Sequence, residues 1–213
     1  MPKRENISMS VIRRLPRYYR FLTHLKEKGV TRISSTELSV KLGLTASQIR
    51  QDLNCFGGFG QQGYGYIVDQ LCDEIGNILG LSNRYKTILI GAGNLGRAIA
   101  THMQFEEEGF ELIGIFDSSP SKTGTRINGK IVMDTTELED FCEKEKPIMA
   151  ILCIPREGVH SILERLYSKG VRNFWNFSHY DISMRYEDTV VENVHLNDSL
   201  MTLCYRISNP NNK

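Results

Sequence analysis

Along residues 9–28 the apolar positions Val11, Ile12, Leu15, Tyr18, Tyr19, Leu22 and Leu25 recur at helical spacing, and Gly29 is placed to end the run. Pro16 falls inside this pattern, so the helix starts near it or is kinked there. A second helical pattern, Leu38, Val40 and Leu42, opens at Ser34-Ser-Thr-Glu37 and closes at Gly43. Thr45-Ala-Ser-Gln48 then reads as a capping box, with the Thr45 hydroxyl on the Gln48 amide and the Gln48 side chain reaching back. The third helix carries Ile49, Leu53 and Phe56 on one face and Ser47, Gln48, Arg50, Gln51 and Asn54 on the other. Residues 57–66 hold five glycines and three aromatics, a density that suits a β-hairpin wing. Residues 67–81 form a further amphipathic helix, and residues 81–86 read as a linker.

Two short helices, a glycine-containing turn and a capped third helix make a helix-turn-helix, and the glycine-rich hairpin makes it winged. Charge supports a polyanionic partner. Residues 1–55 carry eleven Lys/Arg against four Asp/Glu, whereas the rest of the chain carries fifteen against twenty-one. Base readout is assigned to Ser47, Gln48, Arg50 and Gln51, whose side chains suit base edges in a major groove. Arg13, Arg14, Arg17, Thr45 and the wing residues Gln61, Gln62 and Tyr64 are assigned to positioning on the duplex.

Beyond residue 86 the pattern changes to apolar runs alternating with helices. Thr87-Ile-Leu-Ile runs into Gly91-Ala-Gly-Asn-Leu-Gly96, and Asp117 follows 21 positions later at the end of a second apolar run, Leu112–Phe116. This is a dinucleotide-binding fingerprint in its required context of strand, turn and helix. Gly91 allows the tight turn, Gly93 lets the backbone approach a pyrophosphate, and Gly96 lets the helix pack on the strand. The pyrophosphate is expected on unpaired N–H groups at the helix N-terminus, and Gly91, Ala92, Gly93, Asn94, Leu95 and Gly96 are assigned to cofactor binding. Asp117 would accept from an adenosine ribose and repel a 2′-phosphate, which favours NAD(H) over NADP(H). Residues 129–133, 147–154 and 171–177 read as further strands, and 157–169 as a helix. The fold class is therefore α/β, a winged helix-turn-helix followed by a Rossmann-type doubly wound parallel sheet. Ligands of such sheets bind outside the carboxyl ends of the strands, which brings in Ser118, Lys122, Pro155, Arg156 and Asn176. A turn that merely ends its strand is an equal reading of Asn176. Val190–His195 is a final strand. Asn197-Asp198 is placed to cap a last helix whose stripe is Leu200, Leu203, Cys204 and Ile207.

The expected domains are residues 1–81, 82–195 and a C-terminal helix and tail over 196–213. Five cysteines, at 55, 72, 142, 153 and 204, show no CxxC spacing, so neither a metal site nor a disulfide framework is expected. No signal peptide or membrane-spanning run is apparent, and a reduced, cytoplasmic protein is expected. An NAD-dependent oxidoreductase is a rival reading, but no Tyr-x-x-x-Lys pair occurs at Tyr167 or Tyr180 and no substrate domain follows. A nucleotide-binding module whose N-terminus binds protein is a second rival.

The chain resembles the Rex family of bacterial redox-sensing transcriptional repressors over essentially its whole length. The resemblance is carried by Arg14-Leu-Pro16 with Tyr18 and Arg20, Gln48–Leu53, Gly63–Tyr66, Gly91–Gly96, Phe116-Asp117, Ile154–Glu157, Asn176-Phe177 and Val191–Val194. It implies a homodimer with the C-terminal helix exchanged between subunits, binding palindromic double-stranded operator DNA. It also implies release when NADH rises, with NAD+ competing for the pocket without causing release. Several positions depart from the family's pattern, among them the wing's Gln61-Gln62, where relatives often have a basic residue. His195 stands where an acidic residue could pair with the arginine matching Arg20, His102 where an aromatic is common, and His179 where a proline follows Asn-Phe. Arg20, His102 and His195 are accordingly the expected interdomain switch residues.

Overall fold

A computed structural model describes residues 7–57, 59 and 64–210. The chain divides into two compact units, residues 1–82 and 83–213. In the first, the single pattern over 9–28 becomes a short helix α1 (Met9–Ile12) and a longer α2 (Leu15–Glu27) that starts beside Pro16. That placement suits a residue lacking an N–H, because the first helical amides have no partner anyway. Strand β1 (Arg32–Ile33) follows, then α3 (Ser35–Leu42) and α4 (Ala46–Asn54). Strand β2 (Tyr66–Ile67) pairs antiparallel with β1, Ile33 opposite Tyr66, and leads into α5 (Val68–Leu79), which packs on α2. This two-residue ladder anchors the base of the expected wing, whose Gln61 and Gln62 lie outside the described residues. Leu15, Leu22, Ile49, Leu53, Val68 and Ile75 form the centre of the core.

The expected Thr45–Gln48 capping box is corrected here. The capping box lies one helix earlier, where Ser34 accepts from the Glu37 amide and Glu37 accepts from the Ser34 amide. Thr45 does cap α4 through the Gln48 amide, but the Gln48 side chain turns away from it.

The second unit begins with β3 (Tyr85–Ile90), which takes up Tyr85 and Lys86 of the expected linker. It continues with α6 (Asn94–His102), β4 (Phe110–Asp117), β5 (Arg126–Ile127), β6 (Lys130–Asp134) and α7 (Leu138–Glu145). Then come β7 (Met149–Leu152), α8 (Arg156–Ser168), β8 (Asn173–Asn176), β9 (Val190–Asn193) and α9 (Leu196–Ser208). The seven strands run in the order β5-β6-β4-β3-β7-β8-β9, all parallel except β5, which is antiparallel to β6. The order reverses between β3 and β7, the crevice where open α/β sheets take their ligands. Strand alternation divides the core. Ile88, Ile90, Ala150 and Leu152 face the side covered by α7 and α8, while Leu89, Ile115 and Ile151 face the side covered by α6.

The α6 side is incompletely covered. Met103, Phe105, Met149, Trp175 and Val190 line a groove of about 670 Å³ there. Helix α9 buries none of its residues within the chain, and Leu200, Leu203 and Ile207 are all more than half exposed. Its cap also differs from expectation. His195 is the N-cap residue, and Asn197 and Asp198 lie inside the helix without making a side-chain cap.

Candidate functional site

The three fingerprint glycines play separable roles. Gly91 has φ +101°, and a Cβ there would lie 2.4 Å from the Cys153 carbonyl oxygen at the end of β7. A Cβ on Gly96 would lie 1.8 Å from the carbonyl oxygen of Gly91, so the first turn of α6 can close onto β3 only without one. Gly93, the N-cap of α6, faces open space within 4 Å. The first helical bond of α6 runs from Arg97 N–H to the Gly93 carbonyl, so the amides of Asn94, Leu95 and Gly96 precede it and point outward along the axis. An uncrowded glycine before free amides at a positive helix end is a cradle that fits the phosphates of a dinucleotide.

Asp117, at the end of β4, is buried and staples this turn. One carboxylate oxygen accepts from the Ala92 amide at 2.7 Å and from Lys122 Nζ at 3.0 Å; the other accepts from the Ser119 amide at 2.8 Å. Burial disfavours its charge, but the Ser119, Lys122 and Ala92 donors outweigh that and hold the carboxyl below its usual range. Three donors leave a carboxylate with one acceptor position, the capacity a ribose hydroxyl needs. Ser118, Pro155 and Arg156 are exposed at the ends of neighbouring strands, Arg156 opening α8 beside the Pro155 cap. Asn176 is fully buried. Its amide nitrogen donates to the Tyr180 carbonyl and to Asn193, and its oxygen accepts from Ser178 N–H and Oγ. The turn-organising reading of this side chain is therefore realised, and its polar atoms are already engaged. The half-buried Cys153 thiol, next to the site, is pushed up to about 12 by burial, which leaves it inert as a nucleophile.

In the first unit, Ser47, Arg50, Gln51 and Asn54 line the outer face of α4, with Thr45 and Tyr64 also exposed. Arg50 donates to Ser35 at 2.9 Å, tying α4 to the start of α3. Arg13 and Arg17 are exposed, but Arg14 departs from its expected phosphate role. It forms a two-pronged pair with the fully buried Asp52, at 2.6 and 2.7 Å. Tyr18 donates to the same carboxylate at 2.6 Å and Gln48 at 2.8 Å. Burial opposes ionisation of Asp52, yet these hydrogen bonds and the guanidinium charge prevail and hold its carboxyl below the usual range. The signal for this cluster is present in the sequence. Position 52 falls on the buried stripe of Ile49 and Leu53, and an acidic residue on such a stripe calls for partners.

The three expected switch residues are all exposed, Arg20 on α2, His102 at the end of α6, and His195 before α9. His195 pairs with His179, another of the departures in its unit. Its Nδ1 lies 2.7 Å from His179 Nδ1, with the rings stacked at 16°.

Residues 6–54 match the family described as a DNA-binding protein N-terminus, and residues 82–180 match the CoA binding domain family. The Rex redox-sensing transcriptional repressor of Thermoanaerobacter pseudethanolicus is 52% identical over 98% of this chain and 92% of its own length. That of Clostridium perfringens is 49% identical over 98% of both. Among solved structures, the repressor RSP in complex with β-NAD+ and operator DNA superposes with a TM-score of 0.88, at 52% identity over 95% of this chain and 93% of RSP. RSP in complex with β-NADH gives 0.86, at 50% identity over 94% of each chain. Identity near one half, sustained from the first helix to the last, settles the kinship: the chain belongs to the Rex family of redox-sensing transcriptional repressors.

Proposed function

We propose that this chain represses transcription by binding a palindromic operator as a homodimer, and that it leaves the DNA when NADH rises relative to NAD+. The observation that carries the reading is the joining, in one chain, of an exposed polar recognition helix to a glycine cradle and stapled Asp117 that fit a dinucleotide. RSP, half identical to this chain, has been crystallised with NAD+ and operator DNA and with NADH.

In this reading the Gly91–Gly96 turn receives the pyrophosphate on the amides of Asn94, Leu95 and Gly96, those of Gly91 and Ala92 being held by Phe116 and Asp117, and Asp117, with Ser118 and Lys122 beside it, receives the adenosine ribose. Pro155 and Arg156 border the nicotinamide end, with Asn176 shaping the adjacent turn. NADH and NAD+ differ there by one positive charge and by ring planarity, and a ligand shifts an equilibrium only through its differential affinity for the two states. Arg13 and Arg17 contact phosphates, joined by Thr45, Tyr64 and the wing, and Ser47, Gln48, Arg50 and Gln51 read bases. Arg20, His102 and His195 belong to the elements that move. The groove beside Trp175 and the uncovered stripe of α9 are complementary in character, which suits exchange of α9 between two copies. Among the described residues no helix is long and apolar enough to cross a membrane. We place the protein in the cytoplasm, acting as a regulator without turnover of its cofactor.

The test is fluorescence anisotropy of a palindromic duplex selected by the protein from a randomised pool, titrated with NADH or NAD+. Release by NADH alone is expected. Binding indifferent to both nucleotides would overturn the sensor, and NADH oxidation with carbonyl substrates would overturn the non-enzymatic reading.

A further inference from the structure

Asp52 is the only buried charged side chain among the described residues of the first unit, and its two oxygens are saturated by four donors. Tyr18 on α2 and Arg14 just before it hold the carboxylate, which is thus fixed by a helix other than the one that carries it. An ionised carboxylate only accepts hydrogen bonds. The Gln48 amide must therefore turn its nitrogen inward to Asp52 and its oxygen away, and among the described residues Oε1 has no hydrogen-bond partner. Gln48 lies four residues before Asp52 on the same face, in the first turn of α4. In a helix-turn-helix, that end of the recognition helix reaches the base edges.

We infer that Asp52 is a positioning residue that presents Gln48 to DNA oxygen first, so that Gln48 selects a base with an exocyclic amine in the major groove. Adenine N6 and cytosine N4 are those amines, whereas the groove edges of guanine and thymine offer only acceptors. An unrestrained glutamine could present either end and would discriminate less. The same contacts neutralise Arg14 within the protein and remove it from the phosphate-binding set. The inference rests on operator binding as proposed above.

The experiment uses the full chain and the selected palindromic duplex. At each position in turn, purine replaces adenine or 2-pyrimidinone replaces cytosine to delete the amine, and 7-deazaadenine deletes N7. Deleting the amine in one half-site only should weaken wild-type binding roughly fivefold to tenfold, the worth of one hydrogen bond, with less than a twofold effect of N7. Gln48→Met should bind more weakly and lose that sensitivity. Asp52→Asn, if it folds, should still bind the unmodified duplex but lose the preference for the amine over N7. A wild type without an amine-sensitive position, or equally sensitive to N7, overturns the inference. So does a folded Asp52→Asn protein that keeps the wild-type preference. Failure to bind any unmodified duplex would overturn operator binding itself, which separates the two readings.

Discussion

Two alanine substitutions only three residues apart in sequence, at Gly93 and Gly96, should separate folding from ligand binding. In Gly96→Ala the new methyl would meet the Gly91 carbonyl oxygen at 1.8 Å, well inside the 3.0 Å that real Cβ contacts respect. The obstacle is backbone, so α6 must move off β3 by more than an ångström. Overpacking of this kind costs about 1–3 kcal/mol, and a rigid obstacle puts this case at the upper end. Gly93→Ala meets nothing within 4 Å and has an ordinary negative φ of −72°, so the fold should tolerate it. Its methyl would stand where phosphate must approach the amides of α6. Losing one or two charge-assisted hydrogen bonds at about 1.5–3 kcal/mol each predicts a drop in NADH affinity of at least tenfold. Thermal unfolding and titration calorimetry with NADH give the two readouts. Gly96→Ala should lose both stability and affinity, and Gly93→Ala affinity alone. A Gly93→Ala protein that binds NADH within threefold of wild type would refute the assignment of this turn to the phosphates.

Asp52→Ala, which leaves Arg14, Tyr18 and Gln48 without their acceptor, should cost roughly 3–5 kcal/mol in chemical denaturation of the first unit. Because the folded carboxyl titrates below its unfolded value of about 3.9, its contribution is complete at neutral pH and is lost as pH falls below about 4. The acid limb of the wild-type melting curve should therefore be shallower in Asp52→Asn. Asp117→Asn keeps its shape but weakens its hold on Lys122, and should lower NADH affinity while narrowing the preference over NADPH, measured by the ratio of the two dissociation constants. Leu200→Glu with Leu203→Glu, both on exposed positions of α9, should convert dimer to monomer by light scattering, with a loss of helical circular dichroism no larger than the thirteen residues of α9. A persistent dimer would refute helix exchange.

The parallel sheet was legible because its central strands are buried on both faces and read as unbroken apolar runs, as over 147–154 around β7. The helices of the first unit were legible through their stripes and through Gly43 and Ser34. Contacts that cross between elements were not. The Thr45–Gln48 box fails because a carboxylate four residues on competes for the same amide. Arg14 reads as a free cation until Asp52, 38 residues away, is seen beneath it. The β1–β2 ladder is two residues long, too short for an alternation to register. Spacing and the apolar run put Asp117 at a strand end, where β4 has it, but its grip on the Ala92 amide comes from two strands lying side by side.

Helix α9 has a consequence for how this protein behaves in dilute solution. Thirteen residues that bury nothing in their own chain are marginal as an isolated helix, and in the homodimer proposed above their order would be borrowed from the second copy. Helix content, melting temperature and operator occupancy would then all be functions of protomer concentration. Below the dimer dissociation constant, occupancy of a palindrome would scale with the square of the amount of protein. Abundance would thus be a second input beside the nucleotide ratio, and a modest fall in expression would relieve repression even when NADH is scarce.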